Sequence, residues 1–284
     1  MKIALTIDDL PEYGPTVSIY TYHDLLDMIL KTINDYKIPG VIGFINGKHI
    51  THTPQYKTTL KSWLIAGCIF GNHTYSHHDL REISADDYIK DITKNEEILF
   101  NLNNTHEPRY YRYPFLLEGE TGEKFYKIRH YLQENNYRVV PVTVDYLDYK
   151  FNYPVCVCLK NNDKRALKKL QEEYVNTSVY RFQASRKIAR DFFSRDIKYI
   201  LLTHSGIATA LFLPAVIEKY IALGCKFVSV EEALDDEVYD IDPIFISCKS
   251  PNYLLRLAKV KRKKVEWPIV DDALLSSIAG IQKK

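Results

Sequence analysis

The regular alternation of short apolar runs with helical patterns is the feature that most constrains the fold of this chain. Runs rich in β-branched and apolar residues predict seven strands: 2–7, 41–46, 68–72, 110–115, 137–145, 197–203 and 225–230. Between several of these runs, apolar residues recur at the spacing of an amphipathic helix. Because strand and helix alternate throughout, we expect a parallel sheet covered by helices. Seven such units favour an α/β barrel or near-barrel over an open sheet.

The length of the chain fits a single barrel domain. At 284 residues it can bury a large core, and we expect 1–284 to form one domain. Prolines interrupt 240–284, yet its leucines and isoleucines can pack, so this part is predicted to be a C-terminal extension on the barrel. The charged, helical pattern of 160–196 predicts two helices on the outer layer.

Charge and cysteine content exclude several classes of protein. Lys and Arg number 38 against 36 Asp and Glu, and this near balance argues against nucleic acid or an anionic membrane as partner. The five cysteines lack the spacing of a metal or redox pair and predict reduced, buried thiols.

The sequence shows no leader pattern, and no apolar run approaches the roughly 18 residues of a membrane span. We therefore expect a cytoplasmic protein, or an extracytoplasmic one if a leader was removed.

Two adjacent acids, Asp8 and Asp9, end the first predicted strand, and Pro11 and Gly14 mark the loop that follows. Neighbouring strand residues point to opposite faces, so both acids can serve one site only where the strand is ending. The carboxyl ends of strands are where α/β folds place their chemistry. The alternative is a loop acid followed by a helix cap, since Asp is common in turns.

A histidine pair follows the third predicted strand, in the stretch GNHTYSHHDL. His73 and His77 are four residues apart, and on one helical turn both imidazoles would face a single ion. Zinc and similar metals favour imidazole nitrogen together with a carboxylate. If all strands end at one mouth of a barrel, Asp8 or Asp9 faces this pair and supplies the third ligand.

Other strand ends carry further polar residues. They are Arg112 in YRYPF, Asp145 and Asp148 in VTVDYLDY, and His204 in ILLTHSG. Each has an ordinary structural alternative: a surface ion pair for the arginine, a cap for an aspartate, a core position for the histidine. Their placement at successive strand ends is what favours a shared active site.

Five of these motifs together resemble a known family. TIDD, HTYSH, RYPF, DYLDY and LLTH occur in the order found in the polysaccharide deacetylase family, also called the NodB-homology family or carbohydrate esterase family 4. The resemblance spans residues 6 to about 205. It implies a distorted (β/α)7 barrel of the NodB type and a divalent metal, usually Zn²⁺ with Co²⁺ or Ni²⁺ as alternatives. The implied activity is hydrolysis of N-acetyl groups on amino sugars of a polysaccharide or oligosaccharide.

The resemblance implies a role for each residue of the first motifs. Asp8 matches the general base of the family. Asp9 matches the metal-binding aspartate beside His73 and His77. Arg112 matches the arginine that orients the base.

The later motifs imply the acid and the pocket. His204 matches the general acid, and Asp148 matches the aspartate that tunes it. The backbone N–H of Phe115 matches an oxyanion donor, and Leu202 matches the apolar residue that faces the acetyl methyl. Tyr149 stands where the family often has Trp, and Phe115 where Tyr is frequent, so the differences concern the pocket for the sugar.

Two other functions are compatible with these residues. The same scaffold resembles amide hydrolases that open cyclic ureides, which acetate release would distinguish from a deacetylase. A non-catalytic carbohydrate-binding module would use aromatic platforms, which the 22 tyrosines allow, but it has no need of a base, an acid and three metal ligands together. Glu118, in LLEGET, is interpreted as a loop acid, with contact to substrate as the alternative.

Overall fold

The computed structural model describes residues 1–105, 109–249 and 251–281, which contain one parallel sheet surrounded by helices. The strands are β1 (Lys2–Leu10), β2 (Ile42–Ile45), β3 (Ile69–Asn72), β4 (Tyr110–Tyr111), β5 (Arg138–Val139), β6 (Val144–Asp145), β7 (Lys198–His204) and β8 (Lys226–Phe227). Their order is β5-β4-β3-β2-β1-β7-β6, and β8 pairs with the start of β1. This curled, parallel arrangement confirms the predicted distorted (β/α)7 barrel.

Helices occupy the outer layer and follow the strands in chain order. They are α1 (Tyr22–Asp35), α2 (Gly47–His52), α3 (Tyr56–Ile65), α4 (Ala85–Asn103), α5 (Gly122–Glu134), α6 (Asn152–Lys160), α7 (Lys164–Phe193), α8 (Ile207–Ala222), α9 (Val230–Leu234), α10 (Tyr253–Val260) and α11 (Asp272–Ile278). Within the described part of the chain, none combines the length and apolar character needed to cross a bilayer.

The side chains of β1 alternate between two environments. Ile3, Leu5 and Ile7 are fully buried in the core shared with the helices. Ala4 belongs instead to the core inside the curled sheet, and Thr6 is fully buried against Arg112. Because the side-chain period of a strand is two residues, the next even-numbered position, Asp8, faces the barrel interior.

The segment 137–145 differs from the single strand predicted for it. β5 pairs with β4, whereas β6 pairs with β7 at the other end of the strand order. The four residues between them carry the chain across this gap and include Pro141, which has no N–H to donate to a ladder. One apolar run therefore forms two short strands with different partners.

The prediction of two helices over 160–196 is wrong. α6 ends at Lys160, and one 30-residue helix, α7, occupies most of the segment. Asp163 caps its first turn by accepting from the N–H of Ala166, and Ser194 ends it in a left-handed conformation. No Gly or Pro lies between these two ends, so nothing in the sequence interrupts the helix.

Four of the five cysteines are buried and free, as predicted, but Cys248 is exposed. It lies in the C-terminal segment that the sequence predicts to be an extension. Within that segment, α10 contacts α7, and α11 contacts both α6 and α7. The N–H of Tyr253 also donates to the carbonyl of Val142, beside β6. The division of the chain into domains stays a prediction.

Candidate active site

A bulge at the end of β1 brings Asp8 and Asp9 to the same cleft. The register with β2 runs from Ile7 opposite Gly43 to Leu10 opposite Ile45, so β1 carries one extra residue there. Asp9 has a left-handed backbone, with φ of 61°. Bulges of this kind re-aim a side chain that strict alternation would turn away. The interior-facing Asp8 and its neighbour Asp9 therefore both line the cleft.

Asp9, His73 and His77 converge on one point. Oδ1 of Asp9 lies 3.4 Å from Nε2 of His73 and 3.2 Å from Nε2 of His77. One ligand atom from each of the three residues lies within 4.8 Å of the others. Burial opposes ionisation of Asp9, but His77, His73 and His204 hold the pKa of its carboxyl well below its usual range. The group is thus an anionic carboxylate between two imidazoles.

The residues of this centre fit a divalent metal. Oδ1 of Asp9 is buried without a hydrogen-bond partner among the described residues, which is costly unless another group satisfies it. His73 donates from Nδ1 to the carbonyl of Arg112 at 2.7 Å, which leaves Nε2 with a free lone pair towards Asp9. Two imidazoles and one carboxylate are the donor set that open zinc sites use.

The histidine pair does not lie on a helical turn, so that prediction is wrong. Residues 73–78 form a loop after β3, in which Thr74 and His77 both have left-handed backbones. Buried amide groups hold this loop. Nδ2 of Asn46 donates to the carbonyls of His73 and Thr74 at 2.7 and 3.1 Å, and Oδ1 of Asn72 accepts from the N–H of Thr74 at 2.9 Å.

Asp8 is held beside this centre by a buried arginine. Nη1 of Arg112 lies 3.3 Å from both carboxylate oxygens of Asp8, and Nη2 donates to Oγ1 of Thr6 at 3.2 Å. Nε of Arg112 donates to the carbonyl of Val140 at 2.7 Å. The second oxygen of Asp8 lies 3.8 Å from Nε2 of His73. Because Val140 and Thr6 hold the guanidinium in place, it fixes the direction of the Asp8 carboxylate.

His204 is bound to a second buried carboxylate. Nδ1 of His204 lies 2.7 Å from Oδ1 of Asp148, and the N–H of His204 donates to Oδ2 at 2.8 Å. Burial lowers the pKa of His204, but Asp148, and then Asp9 and Asp8, raise it to about 10. Nε2 is directed at the centre formed by Asp9, His73 and His77, 3.9 Å from Oδ2 of Asp9. The ring is therefore a protonated imidazolium with Nε2–H available as a donor.

These residues line one open cleft of about 460 Å³. Its walls are formed by Asp8, Asp9, Tyr13, His73, His77, Phe115, Leu116, Asp145, Leu147, Tyr149, Leu202 and His204. Arg112 and Asp148 are almost fully buried behind it. Every site residue that the sequence predicts is thus in the cleft or directly behind it, while their roles stay predictions.

Aromatic rings border the two ends of the polar centre. The ring of Phe115 meets His77 edge-on at 4.6 Å, and Phe115 is half exposed. Tyr149 meets His204 edge-on at 5.5 Å. Tyr13, which was not predicted from the sequence, stacks on His204 at a ring-centroid distance of 4.9 Å. Its signal in the sequence is its position in the loop that directly follows the two acids.

The sequence and structure of the chain are similar to those of known proteins. A family profile described as polysaccharide deacetylase matches residues 1–140. This part of the chain belongs to the polysaccharide deacetylase family. Relatives include a peptidoglycan-N-acetylglucosamine deacetylase of Bacillus cereus, 29% identical over 149 residues, and a chitin deacetylase of Arthroderma benhamiae, 28% identical over 156 residues. These alignments cover 52% and 54% of this chain, but 46% and 36% of the relatives, so the matched part is under half of each relative.

Solved structures of the family share the fold. The chitin deacetylase of Colletotrichum lindemuthianum aligns with a TM-score of 0.57 at 21% identity, covering 83% of this chain and 88% of that one. A family 4 carbohydrate esterase pseudoenzyme from Bacillus anthracis aligns with a TM-score of 0.55 at 19% identity, covering 82% and 65%. Because a pseudoenzyme shares this fold, the fold alone does not show activity, and only the residues of the cleft can support it.

Proposed function

We propose that this chain is a metal-dependent hydrolase that removes N-acetyl groups from the amino sugars of a polysaccharide or oligosaccharide. One observation carries the proposal. A single cleft combines a three-ligand centre, a carboxylate oriented by an arginine, and an imidazole hydrogen-bonded to a second carboxylate. Amide hydrolysis needs these three functions together, because water must be activated and the amine must leave protonated.

Asp9, His73 and His77 would hold the ion, and Zn²⁺ suits their two nitrogens and one oxygen. When bound, a divalent ion supplies Lewis-acid chemistry that activates water and polarises the amide carbonyl. The remaining residues supply proton transfer and orientation.

Asp8 is the general base in this proposal. Its carboxylate takes one proton from the attacking water as the water oxygen bonds to the carbonyl carbon of the acetamide. The two contacts from Nη1 of Arg112 keep the carboxylate in one orientation for this transfer. A backbone N–H at Phe115 would stabilise the negative charge that develops on the carbonyl oxygen.

His204 is the general acid. As the bond between carbonyl carbon and nitrogen breaks, Nε2 of His204 gives its proton to the sugar nitrogen, so that a neutral amine and acetic acid are released. The acetic acid loses its proton to solvent and leaves as acetate, while Asp8 gives the proton it took to solvent and His204 takes one back. Asp148 stabilises the protonated ring through Nδ1. Leu202 lines the cleft beside these groups and would face the acetyl methyl.

The substrate class is supported by the relatives, which are named for deacetylation of peptidoglycan and chitin. The half-exposed rings of Phe115 and Tyr149 would contact the sugar. The experiment is an acetate-release screen of metal-loaded protein over N-acetylglucosamine oligomers and peptidoglycan fragments. Acetate from at least one of them supports the proposal. Carbohydrate binding without acetate would favour a binding module, and opening of a cyclic ureide would favour the other hydrolase.

A further inference from the structure

The loop that carries Phe115 has an unusual backbone. Phe115 and Leu116 are consecutive non-glycine residues with φ of 55° and 56°. Such conformations are unfavourable for residues with a Cβ and persist only where the surroundings hold them. Both residues line the cleft. What holds this turn therefore also shapes the wall of the active site.

A buried arginine from α10 binds the turn from behind. The guanidinium of Arg256 contacts the carbonyl oxygen of Leu116 and the carboxylate of Glu118, and its Nε donates to the carbonyl of Pro251 at 2.9 Å. Only 7% of Arg256 is exposed. Three acceptors on two segments thus surround one planar cation, which restricts the turn and α10 to one relative position.

Other C-terminal residues also contact this loop, and together Asp242, Ser247, Pro251 and Arg256 are called the strap. The second oxygen of Glu118 binds Nη1 of Arg129 at 3.0 Å, and Arg129 also pairs with Asp242. The N–H of Ser247 donates to the carbonyl of Gly119 at 3.1 Å. Glu118 therefore faces two arginines and not the cleft, which supports its interpretation as a loop acid. The strap lies outside residues 1–140, the part matched by the family profile.

We infer that Arg256, acting with Glu118, is a positioning residue of the active site: it holds the left-handed turn at Phe115 and Leu116 in the conformation that catalysis requires. The inference rests on the proposed function, because it assigns the turn a part in the reaction. Arg256 itself touches neither the metal ligands nor the cleft. Loss of Arg256 should therefore affect turnover through the position of Phe115, and not through metal binding.

The test compares Arg256→Gln, Arg256→Lys and Glu118→Gln with wild type. Arg190→Gln is the control, because Arg190 lies on the outer helix α7 with an exposed side chain and pairs with Asp196, which follows the helix. Since displacement of a catalytic group by about 1 Å can cost roughly 100-fold, we expect kcat of Arg256→Gln to fall by about 10- to 100-fold while metal content stays at the wild-type level. Lys keeps the charge but not the planar fork, so Arg256→Lys should restore only part of kcat.

A second measurement does not depend on activity. Hydrogen exchange of metal-free protein should show faster exchange at 115–119 in Arg256→Gln and Glu118→Gln, with β1 and β7 unchanged. If the variants exchange and turn over like wild type, or if kcat falls in proportion to lost metal, the inference is wrong. If wild type releases no acetate, the proposed function fails, while exchange at 115–119 still reports whether Arg256 holds the turn.

Discussion

At the scale of single residues, two adjacent aspartates that composition alone treats as equal have different partners. Asp8 contacts Arg112, whereas Asp9 contacts the two histidines. The bulge in β1 is what allows the two to face one cleft with different partners. Their substitution by asparagine should therefore have different consequences.

Asp8→Asn keeps the size and polarity of the side chain but removes the proton acceptor. We expect metal content to stay at the wild-type level and kcat to fall by about 100-fold or more. Asp9→Asn exchanges an anionic ligand for a neutral amide, so metal affinity should fall and excess zinc should restore part of the activity. The measurement is metal content after dialysis together with acetate release over a zinc titration. The opposite pattern would mean that the two roles are exchanged.

His204 and Asp148 give a prediction for pH. Because Asp148 raises the pKa of His204, the acid stays protonated until the pH rises through that raised value, and activity is lost above it. Asp148→Asn removes the charge that favours the imidazolium, so the alkaline limb of kcat/KM should move to lower pH. His204→Ala, the reference for loss of the acid, should lower kcat by about 10²- to 10⁴-fold with metal retained. An unchanged alkaline limb in Asp148→Asn would contradict this pairing.

At the scale of elements, a buried amide network positions the histidine loop between β2, β3 and α4. Asn95 on α4 accepts from the N–H of Gly47 at 2.9 Å and donates to the carbonyl of Ile45 at 2.7 Å. It also donates to Oδ1 of Asn72, the oxygen that accepts from Thr74 in the loop. The geometry of the centre formed by Asp9, His73 and His77 thus depends on a helix that contributes none of these three residues.

Asn95→Ala leaves the N–H of Gly47 without this partner and removes one of two donors to the carbonyl of Ile45, which keeps the N–H of His73. Each buried polar group that loses its partner costs roughly 1–3 kcal/mol, so we expect the free energy of unfolding of metal-free protein to fall by at least about that amount. Asn101→Ala, an exposed position on the same helix, should change it by less than about 0.5 kcal/mol. Urea denaturation measures both, and equal values would show that the network contributes nothing.

The elements also show what the sequence could and could not predict. Apolar runs locate the strands, because a strand buried on both faces needs a continuous apolar segment. The division of 137–145 into β5, which pairs with β4, and β6, which pairs with β7, could not be predicted. It depends on the position of the gap between the two ends of the strand order. The histidine spacing predicted a shared ion but not the loop. The loop has left-handed backbones at Thr74 and His77, and Thr74 is held by the amide of Asn46, which is distant in the sequence. Tyr13 was missed because loop aromatics carry no periodic signal.

At the scale of the whole molecule, the barrel gathers residues from widely separated motifs at one mouth. Asp8 and His204 are register neighbours on β1 and β7, although 196 positions separate them along the chain. Because β1 and β7 are parallel and end at the same edge of the sheet, the side chains of the first and last motifs lie close together. The family profile matches residues 1–140. The part of the cleft that contains His204 comes from the second half of the chain.

Metal binding should stabilise the whole fold, because the three ligands come from β1 and from the loop after β3. An ion that binds the native state alone adds about 2.7 kcal/mol of stability at 100 times its dissociation constant. We expect the melting temperature of wild type to rise with added zinc and to return after chelation, while Asp9→Asn shows a much smaller rise. Calorimetry of both proteins over one zinc series provides the comparison.

Metal-dependent deacetylation by this chain is tested most directly by acetate release from N-acetylglucosamine oligomers or peptidoglycan fragments. Release is measured while zinc is titrated into fully dialysed wild-type protein, and bound metal is counted in the same samples. We predict negligible release without metal, a rise in proportion to bound ion, and a plateau at one ion per chain, with Asp8→Asn binding the same ion and remaining nearly inactive. Full activity in metal-free protein, or no acetate from any of these substrates at one bound ion per chain, would contradict metal-dependent deacetylation by this chain.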